Sequence, residues 1–322
     1  MRELIQKLHR ERWLTAREYE RLLTELPPEL DGELRLPADR ARRRIFGNRV
    51  YLRGVLDVSS ICQHDCRRCT QGSSADHRIR YRMRPREILD LCEEVWGGDI
   101  RSLVLRCGTD RFYGDEMLCE LIEKLCRMAP GSGLTIAMGE RSRRSYERLF
   151  NAGAEGYQLL QETASRERYE QIHSESLSFD RRLHCLNEVR DIGFQTGCGF
   201  LVGIQSPAEL SRELKFMEEF QSQSVELVPV GEPDHRLTER LISILRLVRP
   251  QAMIIAPGNR AEEILAGANV VQVSLLERRE SFPLCCGNPC PGPAEPMTLA
   301  ALGRTVSEVG FELCAEPPRW NG

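Results

Sequence analysis

Three observations predict an α/β fold, specifically a (β/α)8 barrel of TIM type behind an N-terminal helical arm. From residue 50 onward, eight short β-like runs alternate with amphipathic helical runs. The roughly 270 residues after the arm suit a barrel of about 250. Pro85, Pro207 and Gly153 stand where helices should start or stop. A doubly wound open sheet alternates in the same way, so closure rests on the count of eight. The expected division is an arm over 1–45 and a barrel with a cysteine-containing C-terminal segment over 46–322.

In chain order, residues 1–45 read as helical and charged. Thr15 can cap a helix that presents Tyr19, Leu22 and Leu23 on one face. A loop with Pro27, Pro28 and Pro37 should follow, then a short helix over 40–44. Strand candidates are 50–58, 102–105, 134–138, 156–160, 196–202, 225–228, 253–256 and 270–273. The helices between and after them fall near 85–96, 115–128, 142–151, 179–192, 207–220, 237–248, 261–266 and 297–309. In such a barrel, chemistry belongs on the loops after the strands' C-terminal ends.

Composition narrows the function. The 322 residues carry a formal charge of −3, which supplies no general field for nucleic acid or anionic lipid. No run approaches the ~18 apolar residues of a membrane span. The charged start Met1-Arg2-Glu3-Leu4 lacks a signal-peptide stretch, so a cytoplasmic location is expected. Thirteen cysteines in a reducing compartment should be thiols or metal ligands, and an odd count fits a disulfide set poorly.

After the first strand comes Ile61-Cys62-Gln63-His64-Asp65-Cys66-Arg67-Arg68-Cys69, a Cys-x3-Cys-x2-Cys spacing. Three thiolates on one loop can surround one polynuclear centre, and iron–sulfur clusters are held by cysteine thiolates. Three ligands on a four-iron cube leave one iron open for chemistry. A zinc site is the alternative; it wants a fourth ligand, and His64 and Asp65 lie awkwardly inside the triplet.

This triplet, after the first strand of a barrel, resembles the signature of radical S-adenosylmethionine (SAM) enzymes. The likeness extends to Phe46-Gly47-Asn48-Arg49-Val50-Tyr51-Leu52-Arg53-Gly54, Leu160-Gln161-Glu162-Thr163-Ala164, Gly197-Cys198-Gly199-Phe200-Leu201-Val202-Gly203 and Ala266-Gly267-Ala268-Asn269-Val270-Val271. In this order, over about residues 45–275, the pieces resemble the group of FeFe-hydrogenase maturases of the HydE type, methylornithine synthase and biotin synthase. The resemblance implies a 4Fe–4S cluster on Cys62, Cys66 and Cys69. Its open iron would chelate SAM, and reductive cleavage would give a 5′-deoxyadenosyl radical acting on a small substrate.

The same resemblance carries over the SAM contacts. Glu162 matches a carboxylate that binds SAM; the alternative is a solvent-facing helix cap. Arg182 matches an arginine that pairs with the SAM carboxylate; the alternative is an ordinary helix-face arginine, with Arg181 in register. Gly197, Gly199 and Gly203 would let adenosine lie against strand five, or merely allow tight packing. Asn269 reads as structural.

Several positions depart from the family pattern. Arg68 stands where an aromatic residue usually lies near the adenine and could stack through its guanidinium. After strand two, Cys107-Gly108-Thr109-Asp110 replaces a Gly-Gly-Glu-like run that receives the SAM ammonium. Gly108 is kept and the acid moves to Asp110. Cys107 should point into the barrel mouth, and the exits of strands five and seven also differ.

A second cysteine group, Cys285, Cys286 and Cys290, allows a second cluster or labile surface thiols. Cys92, Cys119, Cys126 and Cys185 fall on helices and read as core. The resemblance implies hydrogenase active-site maturation on a small iron-complex or other small-molecule substrate, with partner maturases. It also implies an electron donor such as ferredoxin or flavodoxin. The alternatives are an amino-acid mutase like methylornithine synthase, or a non-catalytic cluster-binding paralogue acting in assembly.

Overall fold

The computed structural model describes residues 1–67, 69, 71–74, 80–276 and 298–317. The arm is three helices, α1 (Arg2–Glu11), α2 (Ala16–Thr24) and α3 (Asp31–Phe46), with a 3-10 turn at Pro28–Leu30. The alternation then runs β1 (Arg49–Asp57), α4 (Pro85–Val95), β2 (Ser102–Arg106), α5 (Asp115–Met128), β3 (Gly133–Ala137) and α6 (Arg143–Asn151). It continues with β4 (Gly156–Gln158), α7 (Arg166–Ile172), α8 (Phe179–Ile192), β5 (Gln195–Val202), α9 (Pro207–Phe220), β6 (Ser224–Pro229) and α10 (His235–Val248). The chain finishes with β7 (Met253–Ile255), α11 (Ala261–Leu265), β8 (Val270–Ser274), α12 (Leu299–Glu308) and β9 (Glu312–Cys314).

Strands β1 to β8 are parallel and close on themselves, because β1 pairs with β8 on one side and β2 on the other. The open-sheet alternative is thereby removed. β2 pairs only the C-terminal half of β1, from Gly54. The uncovered half takes β9, with Arg49 opposite Glu312 and Tyr51 opposite Cys314. β9 protects an edge that the short β2 leaves bare. No helix among the described residues is long and apolar enough to cross a membrane.

The arm follows its pattern with one correction. Thr15 caps α2 in a full capping box with Glu18, and Tyr19, Leu22 and Leu23 are buried. Pro37, however, lies inside a single helix rather than in a loop before a short one. An interior proline costs about 3 kcal/mol through a lost hydrogen bond and a clash. Packing outweighs it, because Leu34, Ala38 and Arg42 are buried and α3 lies along α10. α7 and β9 have no counterpart in the sequence reading; α7 is short and starts on a Ser165 cap.

Each strand turns one face to the helices and the other into the barrel. Outward Val50, Leu52 and Leu56 join a continuous apolar cluster that reaches Leu8 and Tyr19 in the arm. Inside, Tyr51, Met253, Ile255 and Val270 close the base. Above them the interior turns polar. Gln158 contacts Glu226, Arg53 lies close enough to feel the Glu226 charge, and Arg106 grips Asp57. Asn269 is structural, as expected: its Oδ1 accepts from buried Arg246 at 2.7 Å and from the Ile254 amide at 2.9 Å.

Candidate active site at the mouth of the barrel

The loop after β1 is fastened to its neighbours by backbone and side-chain bonds. Ser59 Oγ accepts from the Ile61 amide at 3.0 Å and donates to Asp110 Oδ2 at 2.7 Å. The Gln63 amide donates to Thr109 O, the Arg67 amide to Ile172 O and the Cys69 amide to Cys66 O. Arg80 donates to the carbonyls of Ser60, Gln71 and Gly72, gathering both ends of the loop. Arginine suits this work because its planar fork serves several acceptors at once.

Cys62, Cys66 and Cys69 are all free thiols and line one cavity of about 190 Å³. Burial pushes the Cys66 thiol up to about 11 and raises Cys69 as well, while amides nearby favour the thiolate. The Gln71 amide approaches Cys69 Sγ at 3.4 Å. Gly108, at the end of β2, fits against this loop so closely that a Cβ there would lie 2.6 Å from Cys62 Cβ and 2.9 Å from its Sγ.

These residues suit an iron–sulfur cluster better than a lone ion. Among the described residues, no three His, Cys, Asp or Glu side chains converge on one ion. His64 Nδ1 lies 2.7 Å from Ser176 Oγ, and Asp65 accepts from Ser73 Oγ and the Ser74 amide. Both proposed zinc partners are therefore occupied elsewhere. In a cluster each thiolate takes a different iron.

The same cavity is lined by Glu162, His173 and Arg182. Glu162 follows β4 with a left-handed φ of 67°. For a residue with a Cβ this conformation costs on the order of 1 kcal/mol. It is held there by β5: the Glu162 amide donates to Gly199 O at 3.0 Å and Glu162 O accepts from the Leu201 amide at 2.9 Å. Its Oε2 lies 3.1 Å from His173 Nε2. His173 stacks on Tyr169 and its Nδ1 meets Tyr169 O at 3.0 Å. The helix-cap alternative for Glu162 does not fit this placement.

Arg182 comes from the first turn of α8. Its Nε donates to Glu140 Oε1 at 2.8 Å and its Nη1 to Leu160 O. Burial alone would weaken the guanidinium, but Tyr169, Glu162 and Glu140 more than offset it and raise its pKa. Arg181 turns outward to Arg141 O, so Arg182 is the residue that lines the cavity.

Other expected positions fall differently. Asp110 is buried and lies outside the cavity lining; Arg82 grips both its oxygens at 2.8 Å and the Phe112 amide donates to it at 3.0 Å. The same interactions hold its carboxyl low in spite of burial. Gly199 packs on β6, where a Cβ would lie 2.0 Å from Glu226 O, so its role is tight strand packing. Cys107 does line the mouth and is buried. Arg68 and Cys285, Cys286 and Cys290 lie outside the described residues.

Sequence reasoning passed over Glu140, His173, Arg106 and Gln158, all of which line the cavity. Glu140 stands just past the end of β3, where barrel chemistry is expected, so its position was a usable signal. At the floor, Arg106 Nε donates to Asp57 Oδ1 at 2.6 Å. Among the described residues, buried Gln158 Oε1 and Arg53 Nε and Nη1 have no hydrogen-bond partner. Orphaned buried polar atoms are costly, and of these two residues Gln158 lines the cavity.

The sequence model of the Radical SAM superfamily matches residues 56–217. The [FeFe] hydrogenase maturase subunit HydE of Thermotoga maritima is 28% identical over 291 residues, 84% of this chain and 82% of that protein. The 3-methylornithine synthase of Methanosarcina acetivorans is 27% identical over 256 residues, 73% of this chain and 72% of that one. Among solved structures, methylornithine synthase (PylB) superposes with a TM-score of 0.84 at 22% identity, covering 97% of each chain. That last likeness speaks for the fold.

Proposed function

The chain belongs to the radical SAM superfamily, whose members use a 4Fe–4S cluster and S-adenosylmethionine, and on that premise we propose that it is a maturase of the HydE type. In this reading it acts on a small, iron-containing precursor of the FeFe-hydrogenase active site, alongside partner maturases. A ferredoxin or flavodoxin would supply the electron. Cys62, Cys66 and Cys69 would hold the cluster. When bound, cluster and SAM together supply reductive cleavage to a 5′-deoxyadenosyl radical that takes a hydrogen atom from substrate.

The chain's own residues would do the positioning. Arg182 presents a planar fork suited to the SAM carboxylate. Glu162 offers acceptors to the SAM ammonium or ribose hydroxyls. Gly108 leaves room for close backbone approach beside Cys62. Asp110 and its Arg82 partner would steady the cluster loop instead of touching SAM. Arg106 and Gln158 would meet the polar groups of a small substrate at the floor.

One observation carries the reading: three free thiols of the triplet and the Glu162–Arg182 wall share a single cavity at the C-terminal mouth of a closed barrel. The test is anaerobic reconstitution followed by SAM and dithionite. The expected result is about four irons per chain and release of 5′-deoxyadenosine, both lost in Cys66→Ala. Cluster binding without 5′-deoxyadenosine would leave only the assembly-partner role. Replacing the HydE protein by this chain in activation of apo-hydrogenase then tests the substrate. The second reading, an amino-acid rearrangement, draws on the 27% identical relative and is tested by whether the reconstituted chain forms 3-methylornithine from the common amino acids.

A further inference from the structure

The turn that carries Glu162 is held from outside the barrel by a carboxylate that the proposed function does not use. Glu213 projects from α9 and is 1% exposed. Its Oε1 accepts from Thr163 Oγ1 at 2.8 Å and its Oε2 from the Ala164 amide at 2.6 Å. Thr163 Oγ1 in turn accepts from the Ser165 amide at 3.1 Å, at the cap of α7. Gln161 Nε2 donates to Thr163 O at 3.2 Å. On the opposite side, β5 holds the Glu162 backbone through Gly199 O and the Leu201 amide.

The segment from Gln161 to Ser165 is thus clamped between two partners, and Glu162 lies between the clamps. A left-handed non-glycine residue persists only where its surroundings over-determine it. β5 alone fixes the amide and carbonyl of Glu162. It does not fix where the chain goes next, into α7, which ends at His173; His173 Nε2 lies 3.1 Å from Glu162 Oε2 and so bears on the carboxylate's aim into the cavity. A helix face pointing inward would normally present an aliphatic residue here. A fully buried acid with both oxygens used on one turn is costly unless it does such a job.

We propose that Glu213 is a positioning residue for SAM binding: by gripping Thr163 and Ala164 it locks the left-handed turn that aims Glu162 at the cavity. The inference rests on the reading of Glu162 as a SAM contact. Charged groups also face Glu213, with Glu209 and Arg212 on its own helix, and Arg168 of α7 pairs with Glu209 at 3.0 Å. They neither reach the turn's amide nor replace the clamp.

The test compares wild type, Glu213→Ala, Glu213→Gln, Thr163→Val and Glu162→Gln as reconstituted holoenzymes. Glu213→Ala should weaken SAM binding about tenfold, raising KM for SAM with kcat at saturation nearly unchanged. Hydrogen exchange at Ala164 and Ser165 should speed up while the unfolding midpoint of the rest of the barrel and the iron content hold. Glu213→Gln keeps an acceptor for the Ala164 amide and should fall between. If Glu213→Ala binds SAM as wild type while Glu162→Gln does not, the positioning role is overturned and the SAM site stands. If Glu162→Gln also binds as wild type, the reading of Glu162 is what fails. Should Glu213→Ala not fold, unchanged SAM affinity in both Glu213→Gln and Thr163→Val overturns the proposal.

Discussion

Arg182 Nε donates to Glu140 Oε1 at 2.8 Å, tying the first turn of α8 to the loop after β3 in the cavity wall. Both side chains are largely buried, at 8% and 11% exposed. A buried pair contributes little net stability as a pair, but removing one partner strands the other. Arg182→Met should therefore destabilise the protein by about 3–5 kcal/mol, read by denaturant unfolding. Arg182→Lys keeps the charge and loses the fork. It should hold its iron and bind SAM about tenfold more weakly by calorimetric titration. Wild-type affinity in the lysine variant would remove Arg182 as the carboxylate partner.

Gly108 tests the fit between β2 and the cluster loop. A methyl group there meets Cys62 Cβ and Sγ inside van der Waals contact. The loop has little freedom to yield, because Arg80 and Asp110 fasten it at several points. Gly108→Ala should keep its far-ultraviolet circular dichroism and lose most of its reconstituted iron. Full iron loading in this variant would mean that the loop relaxes and that the glycine serves something else.

Asp110 was expected to meet SAM and instead lies under the loop on Arg82 and Ser59. Asp110→Asn weakens those charge-assisted bonds without changing the cavity wall. Iron loading should fall, and the fraction that does load should bind SAM with unchanged affinity. The opposite split, normal iron with weak SAM binding, would restore Asp110 as a ligand contact. Since the folded carboxyl is held below its ordinary value, its stabilising share is present above about pH 4 and fades as the pH falls through the depressed value.

These contrasts show what a sequence discloses. Cys62, Cys66 and Cys69 were legible because spacing along one loop is local information. The strands were legible for the same reason, and the helices over Asp115–Met128 and Phe179–Ile192 fall where their periodicity put them. Pro37 misled because its penalty is local and the packing of α3 on α10 that overrides it is not. Asp110 differs from its expected place because a carboxylate two residues after Gly108 says nothing about Arg82, twenty-eight residues back. Glu140 was legible from its place after β3 and was passed over, whereas no motif marks His173 or Glu213, which the packing of α7 and α9 brings to the Glu162 turn.

Gly199 offers a test of the closed barrel itself. A Cβ at this position would lie 2.0 Å from the Glu226 carbonyl oxygen, which is backbone and cannot swing aside. β5 and β6 are paired from Gly197 to Val202, so a shift at Gly199 disturbs the whole ladder. Gly199→Ala should lower stability by several kcal/mol or yield insoluble chain. A soluble variant with wild-type unfolding would contradict the register of this strand pair.

The pH dependence of stability isolates Glu213 from its neighbours. Burial pushes its carboxyl up to about 7, against the lowering effect of the Thr163 and Ala164 hydrogen bonds. Glu209 adds to the rise, and Arg212 opposes it. Unfolded, the same group titrates near the ordinary glutamate value of 4.5. The folded state therefore binds this proton more tightly. Its contribution is fully present below about pH 4.5 and is lost as the pH rises through 7. Glutamine carries no such titration. The stability of wild type relative to Glu213→Gln, measured by urea unfolding, should fall by about 2 kcal/mol between pH 4.5 and 7.5. Glu263, also raised to about 7, titrates in both proteins and cancels in the difference. A flat difference across that window would mean that Glu213 ionises as freely folded as unfolded, which burial against Thr163 and Ala164 does not permit.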